Sequence, residues 1–141
     1  MTPEQIQLVQ TSFAKVAPIS DQAAELFYGR LFEIAPSVKP MFPADMREQR
    51  KKLMGTLAVV VGALSDLAPV LPVASTLAKK HVGYGVEAHH YDTVGEALLW
   101  TLARAFGPEW THELEQAWTA VFAKISGFMI AEAYGHPAAA E

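Results

Sequence analysis

Cysteine is absent from the 141-residue chain. That excludes a disulfide framework, a thiolate zinc or iron–sulfur site and a cysteine nucleophile. Positive charge is in deficit: 11 basic side chains face 15 acidic ones, a net of −4. Nucleic-acid binding leaves the opposite footprint, so no nucleic-acid partner is expected. Charge of either sign is sparse, at 18% against 51% hydrophobic residues. Such a composition argues against disorder and supplies the material for a sizeable core. Long apolar runs are missing too. The longest, Leu57 to Leu64, is broken by Gly62, and it falls far short of the roughly 20 residues of a membrane span. The stretch Met1-Thr2-Pro3-Glu4-Gln5 has neither the basic region nor the apolar segment of a signal peptide. The length is that of one domain. The expectation is a soluble cytoplasmic domain over residues 1–135 without a membrane partner, followed by a disordered tail at 136–141 that carries three alanines.

Strand signals are also scarce. No Asn-Gly or Asp-Gly pair marks a hairpin, no internal repeat is visible, and sustained alternation of apolar and polar residues does not occur. What recurs is the helical period. Thr2, Pro3 and Gln5 read as an N-cap, a first-turn proline and a capping-box partner. Ile6, Val9, Phe13 and Val16 form the stripe behind them, closed by Pro18. Ser20 and Asp21 are expected to cap a second helix with Ala24, Phe27, Tyr28, Leu31 and Phe32 on one side, ending at Pro36. A short segment, Pro36 to Phe42, leads to a long helix from about Arg47 to Asp66. Its stripe is Gln49, Leu53, Leu57, Val60 and Leu64. Ala74, Leu77 and His81 share a face of the next helix, which Gly83 and Gly85 terminate. A helix from about His89 to Phe106 carries Val94, Leu98, Leu102 and Ala105. The last starts at a Thr111 cap and runs through Leu114, Trp118, Val121, Ile125 and Phe128 to Gly135-His136-Pro137. The fold class is all-α, with about six long helices and a short one.

The informative residues break these stripes. His81, Gln49 and Tyr28 each stand on an apolar face. An imidazole, an amide and a phenol cost roughly 1–3 kcal/mol each if buried unpaired. Each therefore needs a partner, which is either another core residue or a ligand. His89, His90 and His112 fall at helix starts, and His136 lies in the tail. A zinc site from His81, His89 and His90 lacks the spaced second ligand pair that marks such sites. Arg47, Arg50, Lys51 and Lys52 make one basic cluster and Lys79 with Lys80 another. The two would flank anything anionic held between their helices.

Taken together these residues follow a known spacing. Phe42 closes the proline-bounded short segment, Gln49 follows seven residues later, and Leu53 comes one turn beyond. His81 stands 32 residues after Gln49, within Leu77-Ala78-Lys79-Lys80-His81-Val82-Gly83-Tyr84-Gly85. The segments Leu26-Phe27-Tyr28-Gly29-Arg30-Leu31-Phe32 and His90-Tyr91-Asp92-Thr93-Val94-Gly95-Glu96-Ala97-Leu98-Leu99 add to the match. From about Glu4 to Ala133 the chain resembles a bacterial single-domain globin, similar to the haem domain of flavohaemoglobins. The resemblance implies a globin fold around a haem pocket with haem b (iron protoporphyrin IX) as cofactor. It implies His81 as the iron ligand, Phe42 as the aromatic against the haem face, and Leu53 as the apolar residue that limits access. Tyr28 and Gln49 match the distal pair that hydrogen-bonds bound oxygen. Leu77 and Tyr91 fall on the cofactor's proximal side, and Lys80, with Lys52, is placed to meet its propionates.

The implied function is reversible, high-affinity binding of O₂ and of NO and CO. Nitric oxide dioxygenase activity follows if a separate reductase supplies electrons, because no flavin or nicotinamide fingerprint occurs in the chain. The pattern departs at one point. Flavohaemoglobins set a tyrosine and a glutamate behind the proximal histidine. Tyr91 fits, but Glu132 falls one residue early, where Ala133 takes the family's position. An electron-rich proximal ligand is therefore not carried over. The rival expectation is a cofactor-free helical sensor or partner-binding module in which His81 and Gln49 are satisfied core polars.

Overall fold

Local chemistry sets the first helix as expected. In the computed structural model, which describes residues 1–83 and 85–134, Thr2 accepts from the Gln5 N–H at 3.1 Å while the Gln5 side chain accepts from the Thr2 N–H at 2.9 Å. This reciprocal cap starts helix α1 (Pro3–Val16). Pro18 sits in a 3₁₀ turn (Ala17–Ile19) that leads directly into α2 (Ser20–Ile34). Ser20 and Asp21 do not cap α2: the cap position is Ile19 and makes no side-chain bond. The Asp21 carboxylate is drawn away to accept from Arg50 at 2.9 Å. A second 3₁₀ turn (Pro36–Met41) follows, and Phe42 leaves it in extended conformation.

Helix α3 covers Arg47–Gly62 and stops four residues before the expected end at Asp66; Leu64 is buried all the same, in the turn beyond the helix. Helix α4 spans Leu71–Gly83 and buries Ala74 and Ala78. Helix α5 (Ala88–Phe106) begins at a cap not foreseen, in which Glu87 and His90 satisfy one another's backbone N–H groups. The Glu87 N–H donates to His90 Nδ1 at 2.8 Å. At the other end Phe106 is buried where Ala105 was expected to face the core; Ala105 is exposed. Gly107, with φ of 55°, supplies the left-handed turn that ends α5. Helix α6 (His112–Tyr134) opens on the Thr111 cap, whose hydroxyl accepts from the Leu114 N–H at 3.1 Å. The expected helix end at Gly135-His136-Pro137, residue 135 of the domain and the tail at 136–141 lie outside the described residues.

These six helices, with no strand among the described residues, form an all-α fold, as expected. Helix α2 packs on α5 and α3, α1 on α6, and α4 on α6. Gly95 lets α5 and α6 approach closely, since a Cβ there would lie 2.8 Å from Phe122 Cε2. The larger hydrophobic cluster draws on α1, α2, α3, the later turns of α5 and the first turns of α6, including Val9, Phe27, Leu102 and Trp118. Trp118 is 2% exposed, and its indole N–H donates to buried Ser12 at 2.9 Å. A second cluster is separate: Ala74 and Ala78 of α4, Tyr91 of α5 and Met129 of α6, with Leu77, Ile125 and Phe128 against it. The core is thus divided in two. Helix α4 has no contact with another helix comparable to the one it makes with α6.

Candidate functional site

The residues singled out in the sequence sort onto the two clusters. On the larger one, Tyr28 is buried at the centre of α2. Gln49, in the first turn of α3, reaches it across the α2–α3 contact: Gln49 Nε2 donates to the Tyr28 hydroxyl oxygen at 3.1 Å. The direction of this bond matters. An amide nitrogen donates, so the phenol oxygen is the acceptor and its own proton remains available. The phenolic proton has no acceptor among the described residues. Burial pushes the Tyr28 pKa up, and the Gln49 hydrogen bond opposes this in part. The phenol therefore stays protonated at neutral pH.

Aromatic rings fix this pair from the side. Phe42 meets the Tyr28 ring edge-on at 5.4 Å and 66°, and Phe27 meets it at 5.0 Å and 77°. Phe32 completes the group, 5.4 Å from Phe42 and 6.0 Å from Tyr28. The α2 stripe identified Phe27 and Phe32 as core residues, and nothing in it revealed that they would clamp Tyr28. Leu53 lies one turn after Gln49, half-buried against the larger cluster.

On the smaller cluster, His81 is half-buried near the end of α4. Burial pushes its pKa below 6.5, so the imidazole is neutral at pH 7. Tyr91 of α5 meets its ring edge-on at 6.3 Å and 78°. The Tyr91 hydroxyl is buried and has no hydrogen-bond partner among the described residues. Burial raises its pKa, with a smaller contribution from Tyr134. Leu77 packs with Ala74 and Ala78 on the same side. Glu132 is half-buried and makes no hydrogen bond or ion pair among the described residues, so it completes no network with His81 and Tyr91 there. Tyr134, which the sequence did not single out, donates its hydroxyl to the Val86 carbonyl and ties the end of α6 to the loop before α5.

The charged residues behave less uniformly than the sequence suggested. Arg47 pairs with Asp45 at 2.7 Å and Arg50 with Asp21 at 2.9 Å. Lys51, Lys52, Lys79 and Lys80 are exposed and in no ion pair among the described residues. His89 and His90 do not gather with His81. Their neighbour is Glu87, and the three offer ligand atoms within 4.8 Å of one another at the surface, where His90 already serves the α5 cap. Among the described residues, His81 belongs to no such cluster.

An all-helical fold with a divided core and a neutral imidazole on one part and an amide–phenol pair on the other defines a class of protein. The family model described as Globin matches residues 25–129. The chain belongs to the globin family. It is similar to the flavohemoprotein of Bordetella parapertussis, at 28% identity over 133 residues, covering 92% of this chain. It also resembles that of Chromobacterium violaceum, at 31% over 107 residues and 74% of this chain. The chain spans about a third of the Bordetella protein (33%) and 26% of the Chromobacterium one. Among solved structures, a bacterial globin from Campylobacter jejuni superimposes with a TM-score of 0.84 at 27% identity, over 94% of this chain and 96% of that one. No helix among the described residues is long and apolar enough to cross a membrane.

Proposed function

We propose that this chain binds haem b through His81 and reversibly binds O₂ with high affinity, taking NO and CO at the same place. The observation that carries this reading is the Gln49-to-Tyr28 hydrogen bond, which leaves a buried phenolic proton without an acceptor among the described residues. The residues fit the cofactor. A flat apolar plate needs apolar walls on both sides, and the two separate clusters offer Phe42 and Leu53 on one and Leu77 on the other. When bound, haem supplies the iron at which diatomic ligands are taken up.

The chain's own residues do the rest. His81 offers a neutral imidazole nitrogen. Tyr91 packs edge-on and restricts its rotation. Tyr28 donates its proton to a polarised diatomic, and Gln49 holds the phenol oxygen so that this proton is aimed away from α3. At roughly 1–1.5 kcal/mol per bond, Tyr28 alone would raise affinity about 5- to 13-fold. Phe42 and Phe32 keep water from the phenol. Lys80, exposed beside His81, and Lys52 offer ammonium groups to carboxylates at the cofactor's rim.

The flavohemoproteins to which the chain is similar support a second use of the same site: NO and O₂ combine to give nitrate, consuming one electron per turnover. The electron comes from a separate reductase, in the cytoplasm. The test of the function is direct. The purified chain is expected to show a Soret band with one haem per chain and a reversible O₂ adduct. A colourless protein that takes up no added haem would refute it.

A further inference from the structure

The start of α5 gathers ligand atoms that haem binding leaves unused. Glu87, His89 and His90 offer a carboxylate oxygen and two imidazole nitrogens, all within 4.8 Å of one another. Adjacent residues of a helix do not normally face each other. Here the cap brings them together: His90 bends back to accept from the Glu87 N–H at 2.8 Å, and its ring lies 4.2 Å from that of His89. His89 Nδ1 stands 3.5 Å from Glu87 Oε2. Two ligands about 2.0–2.2 Å from one tetrahedral zinc ion stand roughly 3.4 Å apart, so this pair already has the separation that a shared ion requires. Glu87 and His89 are exposed and His90 is half-buried, so an ion can enter from solvent.

The donor set selects the ion. Two imidazoles and one carboxylate suit zinc, copper(II) or nickel(II), whereas magnesium and calcium need more oxygen ligands than one carboxylate supplies. The Glu87 carboxylate also accepts from the His90 N–H in the cap, and its lone pairs serve for both. The His90 ring has no such surplus. A neutral imidazole has one lone-pair nitrogen, and in the cap that nitrogen is Nδ1. An ion must take Nδ1 itself, or bind Nε2 and send the proton to Nδ1. Either way the Glu87 N–H loses its acceptor. The cap and the ion are alternative uses of one side chain.

We propose that Glu87, His89 and His90 form a site for a divalent transition-metal ion of the zinc and copper(II) class, and that the ion takes His90 from the α5 cap. The site adjoins Val86, whose N–H donates to the His81 carbonyl at 3.0 Å. The ion replaces one bond of the cap with a tie from Glu87 to two residues of the first turn, and so holds the connection between α4 and α5.

The test separates ligation from capping. Glutamine is a regular capping-box partner at the third helical position. His90→Gln therefore keeps an acceptor for the Glu87 N–H and removes an imidazole. Calorimetric titration of the purified full chain, free of any affinity tag, is expected to show one Zn²⁺ per chain and no binding of Mg²⁺. His89→Ala and His90→Gln should each weaken Zn²⁺ binding about tenfold or more. Without metal, His90→Gln should melt at the wild-type midpoint; with Zn²⁺ the wild-type midpoint should rise and that of His90→Gln should not. The Glu87 amide should exchange its hydrogen faster once Zn²⁺ is bound. Equal Zn²⁺ affinity in wild type, His89→Ala and His90→Gln, or no binding at millimolar Zn²⁺, would overturn the site. An unchanged Glu87 exchange rate in the Zn²⁺-bound chain would overturn the competition with the cap.

Discussion

Replacing Tyr28 by Phe removes one oxygen and almost no volume, so it isolates the phenol's role. Two hydrogen bonds are at stake. One is the observed bond from Gln49 at 3.1 Å. The other is the proposed bond from the phenol to the bound diatomic. The first contributes to both the free and the liganded states, so it largely cancels from ligand binding. The second exists only after the ligand arrives, so its loss appears in the rate of release. At roughly 1–1.5 kcal/mol, O₂ dissociation should accelerate about 5- to 13-fold while association changes little. CO is far less polarised when bound, and its dissociation should barely move. Stopped-flow displacement of O₂ by CO, and of CO by NO, measures both rates. Gln49→Leu is expected to act in the same direction for a different reason: the phenol loses the donor that orients it. The two effects should not add, because Gln49 acts through Tyr28. Equal acceleration of O₂ and CO in Tyr28→Phe would mean that the side chain works through packing, and the hydrogen-bond account would have to be abandoned.

His81→Ala should weaken haem retention and remove the iron–histidine Raman band of the ferrous form; an unchanged band would exclude His81 as the ligand. Ser12→Ala should lower stability by about 1–3 kcal/mol in urea unfolding, because it strands the buried Trp118 N–H; an unchanged midpoint would count against this bond. The haem-free protein should lose stability as pH falls below 6.5. Burial depresses the native pKa of His81, so the unfolded state binds the extra proton. Thermal melts between pH 5 and 7 (a range set roughly by the reference imidazole value) should therefore show the wild type losing stability more steeply with falling pH than His81→Phe, and equal slopes would refute the reasoning. Conversion of NO to nitrate by the purified chain should stop after a single turnover unless a reductase is added; sustained turnover with NADH alone would contradict the separate-reductase reading.

Much of this was legible wherever the cause is local. The Thr2–Gln5 cap and the Thr111 cap involve residues three apart, and the sequence carries them whole. Tyr28, Gln49 and His81 were visible because a polar residue stands out against a helical stripe. Events that join distant segments were hidden. Asp21 failed to cap α2 because Arg50, 29 residues away, claims its carboxylate. Glu87 and His90 were missed as a cap because neither is a usual choice for that position. The direction of the Gln49–Tyr28 bond and the aromatic clamp from Phe32 and Phe42 depend on how α2, the turn after it and α3 meet, which no single stripe encodes.

The anchoring of α4 to α6 sets how the molecule would come apart. Helix α4 carries His81, yet it belongs to the small cluster and leans chiefly on α6, with Tyr91 of α5 beside it. The larger cluster, with Trp118 and Val9 at its centre, does not depend on it. In hydrogen exchange this predicts two cooperative units: slow amides in α1, α2 and the first half of α6, and faster ones in α4. If haem is what fills the space between the clusters, its loss releases α4 first and leaves the remainder folded. The same segment that holds the cofactor would then be the one a protease cuts when the cofactor is gone, so that empty chains are cleared while loaded chains persist.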